Sequence, residues 1–223
     1  MSVRQASSND QTASRGISNR GIIDNVLGAA SPERGLSWLD IGCGTGAFLR
    51  RVLGDWEPSS LHATDVLPWL PEDLMDDVAF EQAAAEEATL PVVDRVVMIE
   101  TIEHLEAPWT ALRRASAAVA PGGLLVVSSP NVGSLRSRLN LLLRGELAAF
   151  RADNAVHLTP ALAHVIARIL SEEGLEPEVR FGGPDVVPST GRTWPEALHS
   201  RWPAVFSPTL IVVGRRGRRH IAI

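Results

Sequence analysis

Short runs rich in Val, Ile and Leu alternate along this chain with stretches of helical periodicity, and this alternation constrains the fold most. Strands are expected at 36–42 (LSWLDIG), 60–66 (SLHATDV), 78–84 (VAFEQAA), 94–100 (DRVVMIE) and 124–130 (LLVVSSP), with two more at 176–182 and 209–216. The 94–100 run is apolar at consecutive positions, as in a strand buried on both faces of a parallel sheet. Helical spacing is expected at 21–30, 45–54, 109–120 and 160–173, with a short proline-opened helix at 67–75. Strands that alternate with helices build βαβ units, so the predicted class is α/β with a mostly parallel, doubly wound sheet. The last two strands are joined by a Pro/Gly/Trp-rich connection, which leaves room for an antiparallel strand at the end of the sheet.

With 223 residues, 45% of them hydrophobic and 21% charged, the chain is expected to form one globular domain over 21–216. Residues 1–20 are Ser/Asn/Gln/Arg-rich and read as a flexible arm, and 217–223 as a basic tail. A net charge of −5 argues against a non-specific nucleic-acid binder, and scattered tryptophans without any tyrosine make no base-stacking platform. No apolar run approaches the roughly 20 residues needed to span a bilayer. A single cysteine, Cys43, cannot form an intramolecular disulfide, and the first residues lack the apolar core of a signal peptide. A cytoplasmic protein is the expectation.

Three groups of residues carry candidate chemistry. Asp40-Ile41-Gly42-Cys43-Gly44-Thr45-Gly46 falls between a predicted strand and a predicted helix. There a glycine-rich turn lets the backbone approach a ligand closely. Its D-x-G-x-G-x-G spacing differs from the G-x-G-x-x-G of dinucleotide sites. Asp65, at the end of the second strand and 23 residues after Gly42, is placed to accept hydrogen bonds from ribose hydroxyls. Glu100, Glu103 and His104 stand at i, i+3 and i+4, on one face if the chain turns helical after the fourth strand. Such a face can use His104 as a general base, bind a divalent cation, or simply cap a helix.

In their order, LDIGCGTGAF, ATDV, VVMIETIEHLEAP, APGGLLVVSSPN and HLTP resemble class I methyltransferases that use S-adenosylmethionine (SAM). More narrowly, they are similar to the group that includes the ubiquinone-biosynthesis O-methyltransferases. The resemblance spans about 36–215 and implies a seven-stranded sheet with its last strand antiparallel. It also implies that Asp40, Gly42, Cys43, Gly44 and Gly46 line the methionine end of SAM and that Asp65 binds its ribose. Where relatives commonly carry an adenine-contacting Asp, this chain reads Ala83-Ala84-Ala85-Glu86-Glu87, so either Glu86 substitutes or adenine rests on apolar contacts and backbone amides; Glu100 is a further candidate cofactor contact. Similar E-x-x-E-H segments hold metal in some members, which makes Glu100, Glu103, His104 and His157 candidate ligands for a divalent cation such as Mg²⁺.

The stretch 131–157 is then the expected acceptor-side insertion, with leucines and arginines at helical spacing that suit a lid or a packed helix. Methylation of an oxygen on a small-molecule acceptor is the leading functional expectation. The alternatives are an RNA terminal-ribose methyltransferase and a non-catalytic domain that binds SAM or a partner. Trp194 and Trp202 are candidates to wall an acceptor pocket.

Overall fold

The computed structural model describes residues 18–68, 70–187 and 190–218; residues 1–17 of the expected arm (1–20) and 219–223 of the expected tail (217–223) lie outside them. Seven strands, β1 (Ser37–Ile41), β2 (Ser60–Asp65), β3 (Ala79–Gln82), β4 (Val93–Ile99), β5 (Val119–Pro130), β6 (Leu175–Phe181) and β7 (Thr209–Arg216), form one sheet. Their order is β3-β2-β1-β4-β5-β7-β6. The first five pair in parallel, and β7 runs antiparallel to both β5 and β6. This is the expected doubly wound sheet, and its strand order reverses between β1 and β4.

The strands sort their side chains with period two, as the pleat requires. Leu39, Ile41, Val96, Met98, Leu125 and Val127 belong to one core, while Trp38, Val97, Leu124 and Val126 belong to the other. Helices α1 (Ser18–Ala30) and α2 (Ala47–Trp56) close the second core with Val26, Leu27, Phe48, Leu49 and Val52. Helices α3 (Pro108–Ala117) and, after the insertion, α5 (Ala163–Glu172) close the first with Leu112, Ala115, Ile166 and Leu170. Burying each of these aliphatic side chains stabilises the fold by about 1.5–3 kcal/mol. The buried Arg95 side chain donates to the carbonyls of Ala30, Ser31 and Asp94, which ties the end of α1 to the base of β4.

Several elements differ from expectation for identifiable reasons. Helix α1 starts at Ser18, inside the expected arm. The expected helix over 67–75 is only a 3₁₀ turn, Glu72–Leu74. Pro68 and Pro71 withhold two amide donors, and each disfavours helical torsions in the residue before it. The third helix ends at Ala117, and β5 already begins at Val119, before Pro121-Gly122-Gly123. Val93 pairs with Val119 and Arg95 with Leu124, so the intervening residues bulge out of register. The connection before β7 contains two short helices, α6 (Glu196–Arg201) and α7 (Pro203–Phe206). Within the insertion, the Leu/Arg periodicity forms α4 (Leu135–Arg144), capped by the Ser134 hydroxyl and ended by Gly145 in the left-handed region. Among the described residues no helix is long and apolar enough to cross a membrane.

Candidate functional site

In an open α/β sheet, ligands bind outside the carboxyl ends of the strands, where the strand order reverses. Here that place lies beyond Ile41 of β1 and Ile99 of β4. From β1 the chain enters the glycine turn, and the N–H groups of Gly42 and Cys43 both donate to the Thr64 carbonyl at 2.7 and 3.2 Å. Gly42 has a φ of +80°, and a Cβ on it would lie 2.5 Å from Thr101 Cγ2, so no other residue fits. Gly44, with φ +53°, faces open space: nothing lies within 4 Å of where its Cβ would be.

Asp40 sits one residue before the end of β1 with its carboxyl buried and its Oδ1 without a hydrogen-bond partner among the described residues. Burial, and then the charge of Asp65, pushes this carboxyl up to about 8 from an ordinary 3.8. A buried carboxyl of this kind, unpartnered and beside an open turn, fits a cationic ligand group. Burial, followed by the charges of Asp40 and Asp65, also pushes the neighbouring Cys43 thiol up, so it stays protonated and unreactive.

Asp65 is drawn into the same place. Its Oδ2 accepts from Gly44 N–H at 2.8 Å and its Oδ1 from Leu67 N–H at 2.9 Å. The carboxylate therefore braces the glycine turn as well as closing β2, and each oxygen keeps acceptor capacity. Glu86 has a different employment: its Oε1 accepts from Ala107 N–H at 3.2 Å, at the start of α3.

After β4 the chain does not make the helical turn from Glu100 that would have put Glu100, Glu103 and His104 on one face. Glu100 adopts a φ of +49°, and only a 3₁₀ turn, Ile102–His104, follows. Glu100 no longer shares a helical face with Glu103 and His104, although its carboxyl stays beside that of Glu103. Its N–H donates to Ser128 Oγ and its Oε1 accepts from that hydroxyl, both at 3.0 Å. Glu103 is fully buried, with neither carboxylate oxygen hydrogen-bonded among the described residues. Burial raises both carboxyls, and the nearby Glu100 raises Glu103 further, so the pair resists holding two negative charges.

One proximity that sequence spacing does not reveal as geometry is the meeting of His104 and His157. Their rings lie edge to face with centroids 4.8 Å apart. Ligating atoms of Glu103, His104 and His157 fall within 4.8 Å of one another, and Glu100 is outside this group. His104 Nδ1 lies 2.9 Å from the Val156 carbonyl and His157 Nδ1 lies 2.8 Å from the Ala149 carbonyl. A carbonyl can only accept, so each Nδ1 carries the hydrogen and each Nε2 keeps its lone pair. Burial, and then the His104 charge, lowers the His157 pKa, which favours its neutral form.

A model of the methyltransferase domain matches residues 15–178, a span that takes in the glycine turn, Asp65 and the Glu103–His104–His157 group. The chain belongs to the SAM-dependent methyltransferases. The methyltransferase is 30% identical to the ubiquinone biosynthesis O-methyltransferase of Methylobacterium sp. over 186 residues, covering 78% of this chain and 69% of that one. It is 28% identical to the 27-O-demethylrifamycin SV methyltransferase of Amycolatopsis mediterranei over 207 residues, covering 84% and 70%. Its fold matches a chain from the complex of a Haloferax volcanii methyltransferase with the Trm112 methyltransferase activator. The TM-score is 0.70 at 18% identity, covering 97% of this chain and 100% of the other.

Further contacts that sequence reasoning missed hold the segments around the Glu103–His104–His157 cluster together. The Glu103 carbonyl accepts from Leu158 N–H at 2.7 Å and Thr159 N–H at 3.0 Å, which joins the HLTP segment to the turn after β4. Asn131 Nδ2 donates to the carbonyls of Ala204 and Ser207, both at 2.9 Å, and fastens the start of the insertion to α7. Trp194 packs on Phe206 at 5.0 Å between ring centroids, as an anchor for that same segment.

Proposed function

We propose that this methyltransferase methylates an oxygen of a small-molecule acceptor, with His104 Nε2 removing the acceptor's proton. When bound, SAM supplies an electrophilic methyl group on a sulfonium. Asp40 would pair with the cofactor's cationic methionine end, with the backbone of Gly42, Cys43, Gly44 and Gly46 around it. Asp65 would accept from the ribose hydroxyls while still bracing Gly44. Glu86, whose Oε1 is engaged at the start of α3, is not assigned to adenine in this reading. A hydroxyl is a poor nucleophile until its proton is removed, and an imidazole nitrogen that is free to accept suits that task.

The observation that carries the proposal is the fixed tautomer of His104: its Nδ1–H is held by the Val156 carbonyl, and its Nε2 is left as an acceptor. The two relatives above support oxygen as the methylated atom by their names, and those names differ in acceptor. The test is a screen of phenols and hydroxylated ring compounds for SAM-dependent methyl transfer, followed by His104→Ala. We expect SAM binding to persist and kcat to fall about 10²–10⁴-fold. An unchanged kcat would refute the base assignment. Turnover of oligoribonucleotides but not phenols would move the acceptor to RNA, and SAM binding without any turnover would make the chain a binding domain.

A second reading is favoured by the convergence of Glu103, His104 and His157. Two imidazole lone pairs and a carboxylate free of other partners fit a transition-metal ion, whereas Mg²⁺ prefers an oxygen-only set. A bound cation would also offset the cost of ionising Glu103. Activity abolished by a chelator and restored by Zn²⁺ or Mn²⁺ would select this reading over the metal-free base.

A further inference from the structure

Away from the glycine turn, α4 forms one wall of a groove of about 410 Å³. Leu139 and Leu143 of α4 and Val186 give it an apolar floor, and Arg136, Arg144 and Arg151 ring it. A volume of this size suits a small organic molecule. Leu139 and Leu143 are 42% and 77% exposed, so this apolar lining is open to solvent. The residues that line the groove include no carboxylate, in a chain whose net charge is −5.

The three guanidiniums are not equivalent. Arg136 lies 3.8 Å from the buried Asp185 carboxylate, and Arg151 is paired with Asp153. Arg144 has no ion pair or hydrogen bond among the described residues, so its positive charge is uncompensated at the groove's edge. Charge complementarity therefore calls for an anion there. One short segment, 148–151, borders both this groove and the histidine pair. Ala148 and Arg151 line the groove, while Ala149 between them accepts from His157 and the Phe150 ring packs 5.4 Å from the His157 ring.

We infer that this groove holds the non-reacting end of the methyl acceptor, an apolar chain or ring system that bears a carboxylate or phosphate near Arg144. The inference rests on the small-molecule reading of the site and specifies its substrate class. A matched pair of probes tests it without turnover: decanoate and decyltrimethylammonium, each below its micelle concentration, titrated calorimetrically into the full chain. Decanoate should bind at one site and at least tenfold more tightly than the cation, and Arg144→Gln should weaken it about tenfold, the scale of one charge-assisted bond. Leu143→Ser should weaken both probes, and unchanged thermal melting would show that each variant is folded.

Equal binding of the two probes, or decanoate binding indifferent to Arg144→Gln, overturns the inference. So does binding to phosphatidylglycerol vesicles with none to monomeric decanoate, which would make this face a membrane contact. SAM affinity is measured on the same samples. If decanoate behaves as expected while SAM does not bind, the methyltransferase reading fails and the groove stands; the converse result removes the groove alone.

Discussion

Asp40 permits a quantitative prediction about how the cofactor is bound. Its carboxyl is buried, one oxygen has no partner, and its pKa lies at about 8 against an ordinary 3.8. At about 1.4 kcal/mol per pH unit, that gap sets an upper limit on the order of 6 kcal/mol for ionising Asp40 inside the empty fold. The sign follows from proton binding: between the two values the folded state holds a proton that the unfolded state has released. Stability of the ligand-free chain therefore falls as pH rises from about 4 towards 8. A cationic ligand beside Asp40 repays that loss and expels the proton, so binding at pH 7 should release about 0.9 proton from this group.

Calorimetry in two buffers of different ionisation enthalpy measures the release directly. Below pH 8 the SAM dissociation constant should fall about tenfold per pH unit; near 8 the cofactor's own amino group begins to lose its charge and the trend reverses. Asp40→Asn cannot ionise, so its affinity should be flat below pH 7 and only decline above. Losing one charge-assisted bond of up to about 3 kcal/mol, the variant should bind about a hundredfold more weakly at pH 8. At pH 7 the wild type must first give up its proton, and the difference should narrow to about tenfold. Identical proton release and identical pH profiles in wild type and Asp40→Asn would refute the assignment of a cation to this carboxyl.

Gly42→Ala combines a left-handed backbone with a Cβ against Thr101, and should cost about 2–4 kcal/mol in urea denaturation while abolishing SAM binding. Glu103→Gln removes a buried group whose ionisation is penalised. Its melting temperature should therefore gain on the wild type as pH rises above the ordinary carboxylate range, while methyl transfer falls. Arg95→Met would strand the carbonyls of Ala30 and Ser31, and should destabilise the fold by about 2–4 kcal/mol with little change in SAM affinity for whatever remains folded.

The sheet was readable because its central strands are buried on both faces. Runs such as Val96-Val97-Met98 leave little choice of element, and the strand–turn–helix context of Gly42 to Gly46 follows from that. The residue types of the cofactor hollow were equally visible, although the bond from Gly44 N–H to Asp65 is a matter of register between β1 and β2. The turn after β4 was not readable. Helical spacing at Glu100, Glu103 and His104 is a true property of the letters, but a glutamate with positive φ carries no compositional mark such as a glycine would. His157 reaches His104 because two main-chain amides bind the Glu103 carbonyl, and amides are common to nearly every residue. The proline-induced loss of the 67–75 helix, by contrast, had its cause written at Pro68 and Pro71.

Strand β7 pairs Thr209 with Pro130 at one end and Arg215 with Leu124 at the other, so it travels from the end of the sheet that carries the candidate site to the opposite end. Whatever polypeptide follows Arg216 departs from the far side of the molecule. An affinity handle or immobilising linker fused there would leave the cofactor mouth facing away from its support, and the tethered enzyme should turn over as fast as the free one.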